Sequence, residues 1–196
     1  MKDEKGNLFS VRSLVFMALF AAIICVAAPY SIPVGPIPVT LATFAIYLTG
    51  TILGAKRGMI SVIVYILLGA VGLPVFSNFA GGFQKLVGVT GGYIIGYIPL
   101  VLIVGIFADM KTKKHWTMII GMILGTVALY AFGTAWFMIM TGTDLVSALG
   151  SCVIPFLPGD GIKIACVTAI ALPLKSKLNN AMFGTRQNVG NKPKQS

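Results

Sequence analysis

The stretch VRSLVFMALFAAIICVAA, residues 11–28, followed at once by Pro29, decides how the rest of the chain is read. Apart from Arg12 and Ser13 it holds no polar side chain, and at about 1.5 Å per residue it spans most of a hydrocarbon core of about 30 Å. Arg12, Lys2 and Lys5 precede it, as they would in a signal peptide, and Val26 and Ala28 have the size of cleavage-site residues. Pro29 and five further apolar runs argue instead for a retained first membrane helix. Only 10% of the 196 residues are charged and 57% are hydrophobic. So few charges cannot cover a water-exposed surface, so lipid is the expected solvent for much of the chain.

The remaining runs follow from breakers and flanking charge. Residues 29–39 hold four prolines (29, 33, 36 and 38) and read as a loop. A second helix is expected over 40–55, ending at Lys56-Arg57, and a third over 58–73, stopped by Pro74. Residues 75–92 are glycine-rich and too irregular to face lipid, so they are expected to fold against the bundle or line a cavity. Further helices are expected over 93–108, 116–140 and 159–174, with a possible short interfacial helix inside 141–157. This makes an all-α integral membrane protein, a six-transmembrane-helix bundle forming one domain over residues 1–182, with a polar, disordered tail over 183–196.

Lysine and arginine set the orientation. Lys2, Lys5 and Arg12, then Lys56 and Arg57, then Lys111, Lys113 and Lys114, then Lys175 and Lys177 all fall on one side. The other side carries Lys85, with Lys163 just inside the last helix. Both termini are therefore expected in the cytoplasm, and the proline- and glycine-rich loops outside, in a multi-pass protein of a prokaryotic plasma membrane. The net charge of +10 is thus topology charge. It does not form the basic, aromatic-lined groove that a nucleic acid would need.

Absences narrow the function. No phosphate-binding G-x-x-x-x-G-K-[ST] loop, nucleophile elbow or H-E-x-x-H pair occurs, and the single histidine, His115, sits in a basic flank. The three cysteines, Cys25, Cys152 and Cys166, match no metal or disulfide spacing. The five acids are Asp3, Glu4, Asp109, Asp144 and Asp160, none of them at the middle of a span. No metal, cofactor or enzymatic activity is expected, and uphill transport would draw its energy from another protein. A stand-alone carrier or facilitator for a small vitamin-like solute is the alternative.

One pair stands out. Asp160 and Lys163, in Pro158-Gly159-Asp160-Gly161-Ile162-Lys163, share a helix face. They read either as an N-cap with a snorkelling lysine or as a polar couple at the outer mouth. The lysine's depth of about one turn favours the couple. The 76–93 loop adds Asn78, Gln84, Lys85, Thr90 and Tyr93, with Phe79 and Phe83 as apolar partners. Small-residue ridges occur at Ala18/Ala22, Gly121/Gly125 and Ala165/Ala169, where helices can approach closely.

Four stretches, in order, resemble the BioY family, the biotin-specific substrate-binding components of energy-coupling-factor transporters. They are Gly35-Pro36-Ile37-Pro38-Val39-Thr40-Leu41, Leu73-Pro74-Val75-Phe76, Gly88-Val89-Thr90-Gly91-Gly92-Tyr93-Ile94-Ile95-Gly96-Tyr97 and Pro155-Phe156-Leu157-Pro158-Gly159-Asp160-Gly161-Ile162-Lys163. The chain departs from the family pattern at Ala42 and Val89. The resemblance implies biotin as ligand, Asp160 and Lys163 as contacts, and Thr90, Gly91, Gly92 and Tyr93 as pocket lining. It implies Ala18 and Ala22 as the docking ridge for a transmembrane coupling protein (EcfT), and two cytoplasmic ATPases (EcfA type) that use the ATP. Phe79, Asn78 and Gln84 are expected to complete the site, with the proline-rich loop as its lid.

Overall fold

The computed structural model describes residues 8, 10–34, 36–110 and 115–183, with the side chains of 115, 172 and 175–183 not described. His115, Lys111, Lys113 and Lys114, the lysines at 175 and 177 and the 184–196 tail therefore lie outside the described side chains. The described chain is helical apart from one two-stranded ladder. Its elements are α1 (Val11–Ala27), β1 (Ser31–Ile32), β2 (Val39–Thr40), α2 (Ala42–Ala70), a 3-10 turn (Ser77–Phe79), α3 (Phe83–Val87), α4 (Gly91–Asp109), α5 (His115–Thr141), α6 (Leu145–Cys152) and α7 (Leu157–Phe183). The last helix runs nine residues beyond the expected end at 174, through Pro173.

By length and composition, α2, α4 and α5 can each cross a membrane. The α6–α7 pair, bent by 47°, qualifies when taken together. The surface explains why a bilayer suits the protein. On α1, Ser13, Met17, Phe20, Ala21 and Ile24 form one buried stripe, while Val11, Leu14, Val15, Leu19 and Val26 are exposed on the other side. Both faces are apolar, so burial in water could not have selected one of them. Packing shape does, as expected where lipid is the solvent.

The sequence reading placed a helix boundary at Lys56-Arg57, and the structure moves it. The segment from Ala42 to Ala70 is helical on both sides of Gly54, which breaks it with φ +78° and ψ −177°. A β-carbon built on Gly58 would lie 3.5 Å from the Gly50 Cα. On a straight helix those residues would be about 12 Å apart, so the chain doubles back into two limbs, 42–53 and 55–70. Ala42 and Tyr65 consequently line one cavity. Glycine is required because this region of backbone space is closed to other residues. The freed Ala55 amide donates to Asp109 Oδ2 at 3.1 Å, so the end of α4 caps the second limb. That carboxylate offsets the unfavourable placing of Lys56 and Arg57 in a helix's first turn.

Helix α4 lies between the α2 hairpin and α5. Gly50 and Gly58 admit Val104 and Val101, and Gly105 meets Ala55. On the other side Gly96 admits Leu129, and Gly121 and Gly125 take Phe107 and Leu100. The Gly121/Gly125 ridge thus serves internal packing. Ala18, Ala22, Ala165 and Ala169 remain exposed, as does Cys166. The proline-rich segment is more than a loop. β1 and β2 pair antiparallel, Ser31 with Thr40 and Ile32 with Val39, and hold it as a short hairpin.

Gly54→Val is expected to destabilise the protein by at least about 1–3 kcal/mol, because it combines a Gly-only backbone with a collision against Asp109. Thermal unfolding of the purified protein in detergent reads this. Gly72→Ala, where φ is +113° but a β-carbon meets nothing, should cost less.

Candidate functional site

The termini of α2, α4 and α7, with β2 and the middle of α5, meet at one end of the bundle. The opposite end holds the Gly54 turn, Asp109 and a small apolar cluster of Met17, Phe20, Ile52 and Leu53 with Leu174. Asp160 stands in the first turn of α7 and is only 4% exposed. Lys163 Nζ donates to Asp160 Oδ1 at 2.9 Å and to Thr43 Oγ1 at 2.8 Å. Tyr130 Oη donates to Asp160 Oδ2 at 2.6 Å, and the Thr43 hydroxyl lies 3.5 Å from Oδ1. The ion pair is the expected i,i+3 couple. Two further helices complete it: α2 through Thr43 and α5 through Tyr130.

A small cavity of about 40 Å³ opens against this group, walled by Thr40, Tyr93, Tyr97, Leu129 and Phe156. A second space of about 20 Å³ shares Ile37, Pro38, Thr40, Tyr93 and Tyr97 with it and reaches Ser77 and Thr90. A third, about 240 Å³, opens at Pro33, Asn78, Lys85 and Gly88 and shares Pro38, Ser77 and Thr90 with the second. Through these shared residues the three adjoin in a path from the 29–40 and 76–90 loops to Asp160. Its inner part is mostly apolar with a few convergent polar groups, the usual make-up of a small-molecule site.

The expected site residues divide on this path. Asp160, Lys163, Tyr93 and Thr90 line it, and Asn78 lines its outer vestibule. Tyr93 is anchored through its hydroxyl, 3.3 Å from both Thr134 Oγ1 and the Cys152 carbonyl. Gly91 and Gly92 line none of these cavities. They let the start of α4 close against the Leu86 carbonyl and Trp136, which in turn donates to the Gly88 carbonyl at 3.0 Å. Gln84 is exposed on α3 and lines none of them either. Phe79 is 60% exposed, set edge-on to Tyr30 with ring centres 5.7 Å apart. Both side chains turn outward because α3 and the 3-10 turn present their other side to the bundle.

Thr43, Tyr130, Tyr97, Thr40 and Phe156 were missed by sequence reasoning. The tyrosines offered one signal. Tyr47, Tyr93, Tyr97 and Tyr130 interrupt otherwise apolar helices and all are buried. A phenol within a span needs a partner, so these positions mark the polar interior. Tyr47 meets its need at Thr126 rather than in the site.

This fold and site define a membrane-embedded receptor for a small polar molecule. The BioY family model matches residues 1–180, and the chain belongs to that family. It is 41% identical over 165 residues to the biotin transporter BioY of Thermotoga maritima, covering 84% of this chain and 96% of that one. It is 36% identical over 169 residues to the biotin transporter BioY2 of Lactococcus lactis, covering 86% and 92%. The fold matches a crystal structure of the S-component for biotin from an ECF-type ABC transporter, with a TM-score of 0.79 at 29% identity, over 87% of this chain and 94% of that one.

The ion pair yields a stability prediction. Lys163→Met strands a buried carboxylate and should cost about 3 kcal/mol or more, whereas Lys163→Met combined with Asp160→Asn should recover most of that loss. Thermal unfolding of both variants without added ligand makes the comparison.

Proposed function

We propose that this protein captures biotin at the outer face of the membrane as the S-component of an ECF-type importer. The observation that carries the reading is the buried Asp160 carboxylate, held by Lys163, Thr43 and Tyr130 in the wall of a cavity. The ureido ring of biotin is neutral, with two N–H donors and one carbonyl acceptor. An ion pair that is already balanced suits a neutral head group. Asp160 would accept from the ring N–H groups and Lys163 would donate to its carbonyl. Bonds to charged partners are the strong ones, and here they form out of water. The apolar ring system would lie against Tyr93, Tyr97 and Phe156, with Thr90 toward the entrance. The names of the relatives and of the matching structure support the choice of ligand.

The same reading supplies the membrane topology. Six crossings would be α1, the two limbs of α2, α4, α5 and α7, with both termini cytoplasmic. The reversal at Gly54 supports the count. Arg12, Lys56 and Arg57 near the Gly54 end support the orientation. Energy would come from outside the chain, through a transmembrane coupling protein and two cytoplasmic ATPases. Ala18 and Ala22 are exposed on α1 and would be the ridge on which that coupling protein docks.

Equilibrium binding to the purified protein tests the ligand. Biotin should bind the unaltered chain, and Asp160→Asn and Lys163→Met should each weaken it about tenfold or more. Unchanged affinity in both variants would remove this site from the reading. Docking is tested separately. Ala18→Leu with Ala22→Leu should abolish co-purification with a co-expressed coupling protein and ATPases while leaving biotin affinity intact. Retention of the complex would exclude this face of α1.

A further inference from the structure

Two chain segments border the entrance to the cavity path: strand β1 with its flank, and the 3-10 turn at Ser77–Phe79. Their hydrogen bonds converge on one hydroxyl. Ser31 Oγ donates to Asn78 Oδ1 at 2.8 Å and accepts from the Asn78 amide at 3.1 Å. The same amide lies 3.1 Å from the Pro29 carbonyl, and Tyr30 meets Phe79 edge-on just outside. Asn78 lies on the vestibule wall, beside Ser77, which faces both the vestibule and the next space inward.

This junction is held under strain. Asn78 and Phe79 have φ of +59° and +56°, the two non-glycine residues with positive φ among those described. The left-handed conformation is unfavourable for both, and more so for phenylalanine. It turns the Asn78 amide and its side-chain oxygen toward Ser31 together. The bonds are exposed to water, so their net worth is small and comparable with the strain they hold. A junction so nearly balanced can open and reclose without disturbing the helices beneath it.

We propose that the Ser31–Asn78 pair is a clasp over the ligand entrance, which makes both side chains positioning residues that set the rate of ligand exchange. This role rests on the binding reading above. It also reassigns Asn78, whose side-chain oxygen is engaged by Ser31 rather than left for the ligand. Opening the clasp speeds entry and exit together, whereas losing a ligand contact speeds exit alone.

Stopped-flow measurement of biotin association and dissociation on the full chain separates these cases. Ser31→Ala removes both bonds between Ser31 and Asn78 and leaves the Asn78 amide on the Pro29 carbonyl. Asn78→Ala removes the side-chain bond and leaves the left-handed backbone strained, so both effects favour opening, and the turn is exposed, so the helices beneath it keep their packing. Each should raise both rate constants by about fivefold, with their ratio kept within about twofold. The double variant should exchange at least as fast as Ser31→Ala alone. A faster dissociation in Asn78→Ala with association unchanged, and no effect of Ser31→Ala, would make Asn78 a ligand contact and overturn the clasp. Unchanged rates in all variants would overturn it as well. Hydrogen exchange without any ligand keeps this test apart from the choice of biotin. Amides of residues 30–32 and 78–80 should exchange faster in both variants, and unchanged exchange would overturn the clasp whatever the ligand is.

Discussion

A carboxylate inside a membrane protein must be held by the protein itself, and Asp160 shows what that constraint builds. Its two oxygens take donors from three helices: Lys163 on its own α7, Thr43 on α2 and Tyr130 on α5. Without those partners the charge would cost several kcal/mol or give up its ionisation. With them, the start of α7 is tied to the start of α2 and the middle of α5. The cavity is what remains between the helices once they are so tied. The same group that closes the bundle at this end is therefore the one a polar ligand would meet.

Close packing at the centre makes the tie possible. Helix α4 is approached through glycines on both sides, so the α2 hairpin and α5 come near enough for Thr43 and Tyr130 to reach one carboxylate. In lipid, apolar area drives little of this association, and shape and polar pairing do most of it. The glycines that a sequence reader assigns to pocket lining, Gly91 and Gly92, prove to belong to this packing. Their contribution to the site is to set the position of Tyr93, one residue further along.

Much of the architecture was legible because membranes simplify the reading. The apolar runs, the proline and glycine interruptions and the one-sided lysines placed the helices within a few residues, apart from the far end of α7. They marked the Asp160–Lys163 couple by its helical spacing. The boundary expected at Lys56-Arg57 falls two residues late, because basic residues mark the membrane surface and not the backbone break itself. The physical break is Gly54, the residue able to adopt φ +78°. Gln84 and Phe79 were placed in the site on residue type alone. A short helix and a turn each have an outward side, and residue type does not say which residues occupy it.

The sequence by itself determined that this chain lives in lipid, that it carries no phosphate-binding loop of its own, and that Asp160 and Lys163 stand on one helix face. These follow from composition and local periodicity, which act over a few residues. Only the tertiary structure decided that Gly54 makes the turn between the second and third spans, and that Thr43 and Tyr130, 117 and 30 residues from Asp160, complete its shell. It also decided that Ser31 meets Asn78 across the entrance, 47 residues apart in the chain. Such partners are chosen by packing between distant segments. In a chain where nearly every surface is apolar, no local pattern records that choice.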